Sequence, residues 1–202
     1  MRYFLSLLLL FCATACGLAE SERDERNKRN YLTFSDPAFE AYCLEAFDTD
    51  HDGRISRYEA QHVRAIDCPD RGIARMNVIG EFTRLERLDC SDNLLEQLDL
   101  ANCTLLRTID CSSNRLFGLD INGLRGLTSL DCSDNLLTRL DLKSNSSLAQ
   151  LDCAHNLLTT LDVSACSLVL RADTRSNPDL TTVYCLAQQS IDFDGPTQLI
   201  LR

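Results

Sequence analysis

Twelve residues in the first third of the chain, Asp48–Glu59 (DTDHDGRISRYE), carry its sharpest chemistry. Asp48, Asp50 and Asp52 set hard carboxylate oxygens at alternate positions of a short loop, and Gly53 permits the sharp turn that wraps them around one point. The backbone carbonyl of Arg54, the hydroxyl of Ser56 and both oxygens of Glu59 complete an all-oxygen shell suited to one calcium ion. Ser56 and Glu59 also have the spacing of a capping box, so the loop should feed directly into a helix. The bland alternative, an ordinary acidic turn, does not account for three aspartates, the glycine and the final glutamate in register.

Two helices should hold this loop. The first begins near Asp36, a capping residue followed by Pro37 at the first helical position. Phe39, Tyr42, Cys43, Ala46 and Phe47 recur at helical spacing on one face. The second runs over Arg57–Ala65. The whole resembles the EF-hand, which implies one bound Ca2+. Such loops normally work in pairs, and Asp67-Cys68-Pro69-Asp70 and Asp192-Phe193-Asp194-Gly195 are only fragments. A single structural ion is therefore expected rather than a sensing switch; outside a cell, affinity of ~10⁻⁴–10⁻³ M suffices.

Behind this module the chain repeats itself. Leu88-Asp89-Cys90 returns as Ile109-Asp110-Cys111, Leu130-Asp131-Cys132 and Leu151-Asp152-Cys153, each 21 residues on, with Asn93, Asn114, Asn135 and Asn156 three places after each cysteine. A fixed short period marks a solenoid, in which each unit buries its apolar side only against its neighbours. The pattern set by Leu85, Leu88, Cys90, Asn93 and Leu95 resembles the leucine-rich-repeat family, in its short, irregular bacterial form. That resemblance covers about 63–185 and implies a stack of short parallel β-strands capped by the helix–loop–helix. Upstream, Arg71 stands where asparagine belongs. Downstream, Val169, Ala172, Thr174 and Asn177 keep the register, and the tail at Ile191–Leu201 should add an edge strand.

Register decides what the eleven cysteines mean. Cys68, Cys90, Cys111, Cys132 and Cys153 occupy one inward column, where cysteine acts as a small hydrophobe. Stacked identical side chains are poorly placed for disulfide torsions, so buried free thiols are expected. Between the inward slots Asp67, Asp89, Asp110, Asp131, Asp152 and Asp173 should point to the concave face, which this family commonly uses for partners. With Arg87 and Arg171 they form the candidate binding surface. The same aspartates can equally be consensus residues that bond backbone or Ser/Thr neighbours. Asp99, Asp120, Asp141 and Asp162 form a second, structural ladder.

The ends and the charge set the setting. Residues 1–15 read as an export signal, with Phe4–Phe11 too short to span a bilayer. Thr14-Ala15-Cys16-Gly17 resembles a lipobox, making Cys16 a lipidation candidate, with ordinary cleavage as the alternative. Residues 16–34 form a charged tether, 35–65 the cap, 63–185 about six repeats and 186–202 a capping strand. A net charge of −10 disfavours nucleic acid and anionic lipid as partners, leaving a lipid anchor as the route to a membrane. None of His51, His62 or His155 sits in a catalytic constellation, so an enzyme is not expected. The expectation is an exported monomer at the outer membrane or cell surface, or else periplasmic or secreted, that binds a protein or peptide. A purely structural envelope component, stabilised by calcium at its cap, is the second reading.

Overall fold

The computed structural model describes residues 30–168 and 171–202. The export segment, Cys16, most of the charged stretch and Val169 lie outside the described residues.

Helix α1 spans Pro37–Phe47, and the Asp36 carboxylate caps it by accepting from the Ala38 and Phe39 N–H groups. It buries Phe39, Tyr42 and Cys43, but Ala46 is exposed. The aromatic rings of Phe39 and Phe47 lie 6.4 and 6.0 Å from Phe82, so the helix closes the apolar end of the stack. Polar bonds fix it there: the Tyr42 hydroxyl accepts from the Asp67 N–H at 2.9 Å. The second Asp36 oxygen accepts from Ala74 and Arg75 at 2.8 and 3.0 Å.

Helix α2 is short, Arg57–Ala60, with the full Ser56/Glu59 capping box. It stops five residues before the expected Ala65 because the following residues bond elsewhere. The Arg64 carbonyl accepts from Glu86 and Arg87 of the next repeat, and Ala65–Asp67 becomes strand β1 with Ile66 buried.

Strands β2 (Arg87–Asp89), β3 (Thr108–Asp110), β4 (Ser129–Asp131), β5 (Gln150–Asp152), β7 (Arg171–Asp173) and β9 (Ser190–Asp192) stack on β1 in one parallel seven-stranded sheet. Its register places Asp67, Asp89, Asp110, Asp131, Asp152, Asp173 and Asp192 in line. A second parallel sheet, β10–β8–β6, is built from β6 (Thr160–Asp162), β8 (Thr182–Cys185) and β10 (Gln198–Leu201). The tail thus adds two edge strands, one to each sheet, because it repeats both halves of the unit.

Inside, leucines and cysteines fill continuous columns, and the nine described cysteines are all free and buried. Four of the column thiols donate to the next strand's aspartate carbonyl, as Cys132 does to Asp152 at 3.4 Å. Thr174 makes the same bond to Asp192 with its hydroxyl, so the column doubles as a row of weak donors. Burial drives these thiols upward, Cys68 to about 12, which keeps them protonated.

Each asparagine serves the repeat before its own. Asn114 accepts from Leu95 N at 2.9 Å, and its amide donates to the Cys90 carbonyl of that repeat as well as to Cys111 and Ser112. Asn135, Asn156 and Asn177 do likewise, and Asn93 binds Ile73 N and Cys68 O. Beside each lies a left-handed residue, at Asp92, Ser113, Asp134, His155 and Ser176; aspartate and histidine enter that region more readily than most side chains.

Candidate functional site

The acidic loop joins α1 to α2. Asp48, Asp50 and Asp52 each bring a carboxylate oxygen within 4.8 Å of the other two. The turn that gathers them uses left-handed backbone at His51 (φ 57°) and Gly53 (φ 79°). Asp48 accepts from the N–H groups of Asp52 and Gly53, Asp50 from Asp52, and Asp52 from Arg54, so the backbone sets the carboxylates in place. Burial and the neighbouring acids raise the Asp50 carboxyl above its usual value. An all-oxygen, mutually repelling trio on a tight turn suits a hard divalent cation.

Glu59 is not a member of that cluster and is buried. One oxygen accepts from the Thr49 N–H and hydroxyl at 2.8 and 2.9 Å; the other accepts from the Ser56 N–H and hydroxyl, both at 2.9 Å. A carboxylate offers about four lone-pair sites, and here four donors fill them. Burial alone would raise this carboxyl, but those donors outweigh it and hold it below its ordinary value. Ser56 is likewise engaged in the cap, while Arg54 lies in the turn between the trio and the cap.

Sequence reasoning missed Tyr31. It bridges to Ser56 in an antiparallel pair, and its hydroxyl donates to Asp52 at 2.5 Å, which pushes the phenol up to about 12. Leu32 N also bonds the Ile55 carbonyl at 2.8 Å, so this short extended piece braces the loop. Its apolar-polar signal was submerged in the charged stretch before it.

The open face of the seven-stranded sheet is the second site. Each central aspartate spends one oxygen on its own turn: Asp110 accepts from the Ser112 N–H and hydroxyl at 3.1 and 2.6 Å, and Asp89 and Asp131 do the same with Ser91 and Ser133. Asp152 accepts from Ala154 N. The ladder is therefore a turn device whatever else it does. Arginines sit near its ends: Arg87 lies 3.8 Å from Asp67, Arg171 lies 3.7 Å from Asp192, and Arg175 grips Asp173. Arg175 and Asp192 are charges on this face that the repeat pattern did not single out. Among the described residues no ion pair involves Asp89, Asp110, Asp131 or Asp152. Burial first, and the adjacent acids next, push Asp110 and Asp152 above the usual carboxylate range.

No protein-family model matches the chain, and no curated protein does. Among solved structures, the functional domain of InlJ from Listeria monocytogenes, described as including a cysteine ladder, is 33% identical with a TM-score of 0.67. The match covers 76% of this chain and 36% of that one, so the chain spans about a third of the length of the InlJ domain. An internalin C2 of the same organism is 19% identical with a TM-score of 0.52, over 84% of this chain and 94% of that one, a likeness of fold alone. The chain is a parallel-strand solenoid that matches structures of leucine-rich repeats.

Proposed function

We propose that this is a calcium-binding interaction module that takes a protein or peptide on the open face of its seven-stranded sheet. The observation that carries the reading is the aligned aspartate row, uncompensated at its centre and bracketed by Arg87 and Arg171. Like charges one strand apart cost stability, and a partner presenting basic groups would relieve that cost. The internalin-type neighbours support an interaction role. Export, with Cys16 as a lipid anchor at the cell surface or outer membrane, completes the reading.

Asp48, Asp50 and Asp52 would hold the ion, with the Arg54 carbonyl, Ser56 and Glu59 closing the shell once Glu59 gives up donors from Thr49 or Ser56. The ion would offset most of the trio's charge and stiffen the turn between α1 and α2, and so the cap. Melting with calcium and with chelator tests this: chelation should lower Tm, and Asp48→Ala should erase the difference. Identical melts of the unaltered chain would remove the ion from the reading.

The surface is tested by a binding screen against exposed extracellular and envelope proteins. A hit weakened about tenfold or more by Asp110→Asn with Asp131→Asn supports it, since a paired charge at an interface is commonly worth that much. Undiminished binding would take the ladder out. The second reading, a purely structural component, draws on the turn bonds made by Asp89, Asp110 and Asp131, and a screen without specific hits would favour it.

A further inference from the structure

The second half of each repeat forms a flank separate from the sheet face, and a groove of about 700 Å³ runs along it. At its middle lies Gly118, in the row otherwise occupied by Gln97, Arg139 and Thr160. Nothing in the backbone demands glycine there: its φ is outside the left-handed region, and an added Cβ would meet nothing within 4 Å. The missing side chain opens a notch. Phe117, beside it, is 55% exposed, whereas the other repeats carry Glu96, Thr138 and Thr159 at that position. The repeat that lacks a side chain is also the one that displays an aromatic ring.

The charges in the groove are uneven. Asp141 lies 4.0 Å from Lys143, and Asp162 lies 2.9 Å from Arg202. Arg139 also lines the groove and makes no ion pair among the described residues, so the four aspartates of the lining outnumber its two cations, Arg139 and Lys143. Asp99 and Asp120 line the same groove, and among the described residues neither has an ion pair. Each gives one oxygen to its own turn, Asp99 to Ala101 N and Asp120 to Asn122 N, and the turn leaves the second available. A notch with an aromatic wall, an apolar floor at Leu98 and Leu119, and two unmatched carboxylates is complementary to one kind of side chain.

We infer that this notch is a second docking surface, which receives an arginine side chain from an extended segment of a protein partner. A guanidinium is flat enough to lie against the Phe117 ring and forked enough to bond Asp99 and Asp120 together. Its methylene stem covers the leucine edges. A lysine would pair only as a point charge. This surface is independent of the aspartate row on the sheet.

The test is a titration of the folded, isotope-labelled chain with the peptide acetyl-Gly-Arg-Gly-amide, beside the same peptide with citrulline in place of arginine. Shifts should concentrate at Asp99 and at Phe117–Asp120, and the uncharged citrulline peptide should bind about tenfold more weakly. Phe117→Ala should weaken binding about threefold, the worth of one exposed cation–π contact. Gly118→Gln, which restores the neighbouring repeat's residue, should block the notch with little change in Tm. Asp110→Asn should leave the titration as it is. Shifts confined to the sheet face, or equal binding of the citrulline peptide, would overturn the assignment. So would self-association relieved by Phe117→Ala, which would make a second copy of the chain the occupant. If Gly118→Gln unfolds, Asp120→Asn takes its place, and full binding by that variant counts against the site.

Discussion

At the scale of single residues, the aspartate row sets stability against use. Asp110 and Asp152 are held above the usual carboxylate range by burial and by the acids stacked beside them. A folded-state value above the unfolded one means that the ionised carboxylates cost stability at neutral pH. That cost fades as pH falls through the raised values. Asp110→Asn keeps an acceptor for Ser112 and removes the charge, so Tm at neutral pH should rise, and the gain should shrink on acidification. Thermal melts across that range check it; a fall in Tm at neutral pH would mean that the turn bond needs the full charge. Asp36 runs the other way. Burial opposes ionisation there, but four backbone N–H groups outweigh it and hold the carboxyl below its ordinary value. Its contribution is present above the unfolded value and lost as pH falls through the folded one.

At the scale of elements, the cap is fastened through that one side chain, which starts α1 and ties it to Ala74 and Arg75. Asp36→Ala strands those donors and should cost about 2 kcal/mol, measurable by denaturant unfolding. The Asp36–Pro37 start was legible in the sequence because both residues act locally, and the repeat strands were legible because each position is stated several times over. The end of α2 was not. Residues 61–65 suit a helix by themselves, and only the pairing of β1 with β2, some twenty residues on, decides against it. The acidic trio could likewise be read from spacing, since one tight turn gathers it. The engagement of Glu59 by Thr49, and the brace from Tyr31, could not, because they depend on how separate segments meet.

At the scale of the whole molecule, the stack is a sum of nearly identical interfaces, and stability in such a chain is close to a sum over neighbours. Removing one complete unit, Cys111–Asp131, joins Asp110 to Cys132 in unbroken register. The shortened chain should fold with the strand content of one fewer repeat, by circular dichroism and a cooperative melt. Removing half a unit should not, since it drives the next leucine column outward. The asparagines add a direction to this sum. Because Asn93 completes the turn before it, the first repeat has no predecessor to serve, and Arg71 is free for the cap, where it pairs with Glu45 and lies over the Tyr42 ring. Each of the five turns from Cys68–Ile73 to Cys153–Leu158 is thus finished by the one that comes after it. Synthesis runs in that same order, so a nascent chain would carry one incomplete turn at its growing end, closed and reopened with each new repeat. Lengthening by duplication has the same grammar: a copied unit brings the amide its predecessor needs and waits for the one that follows.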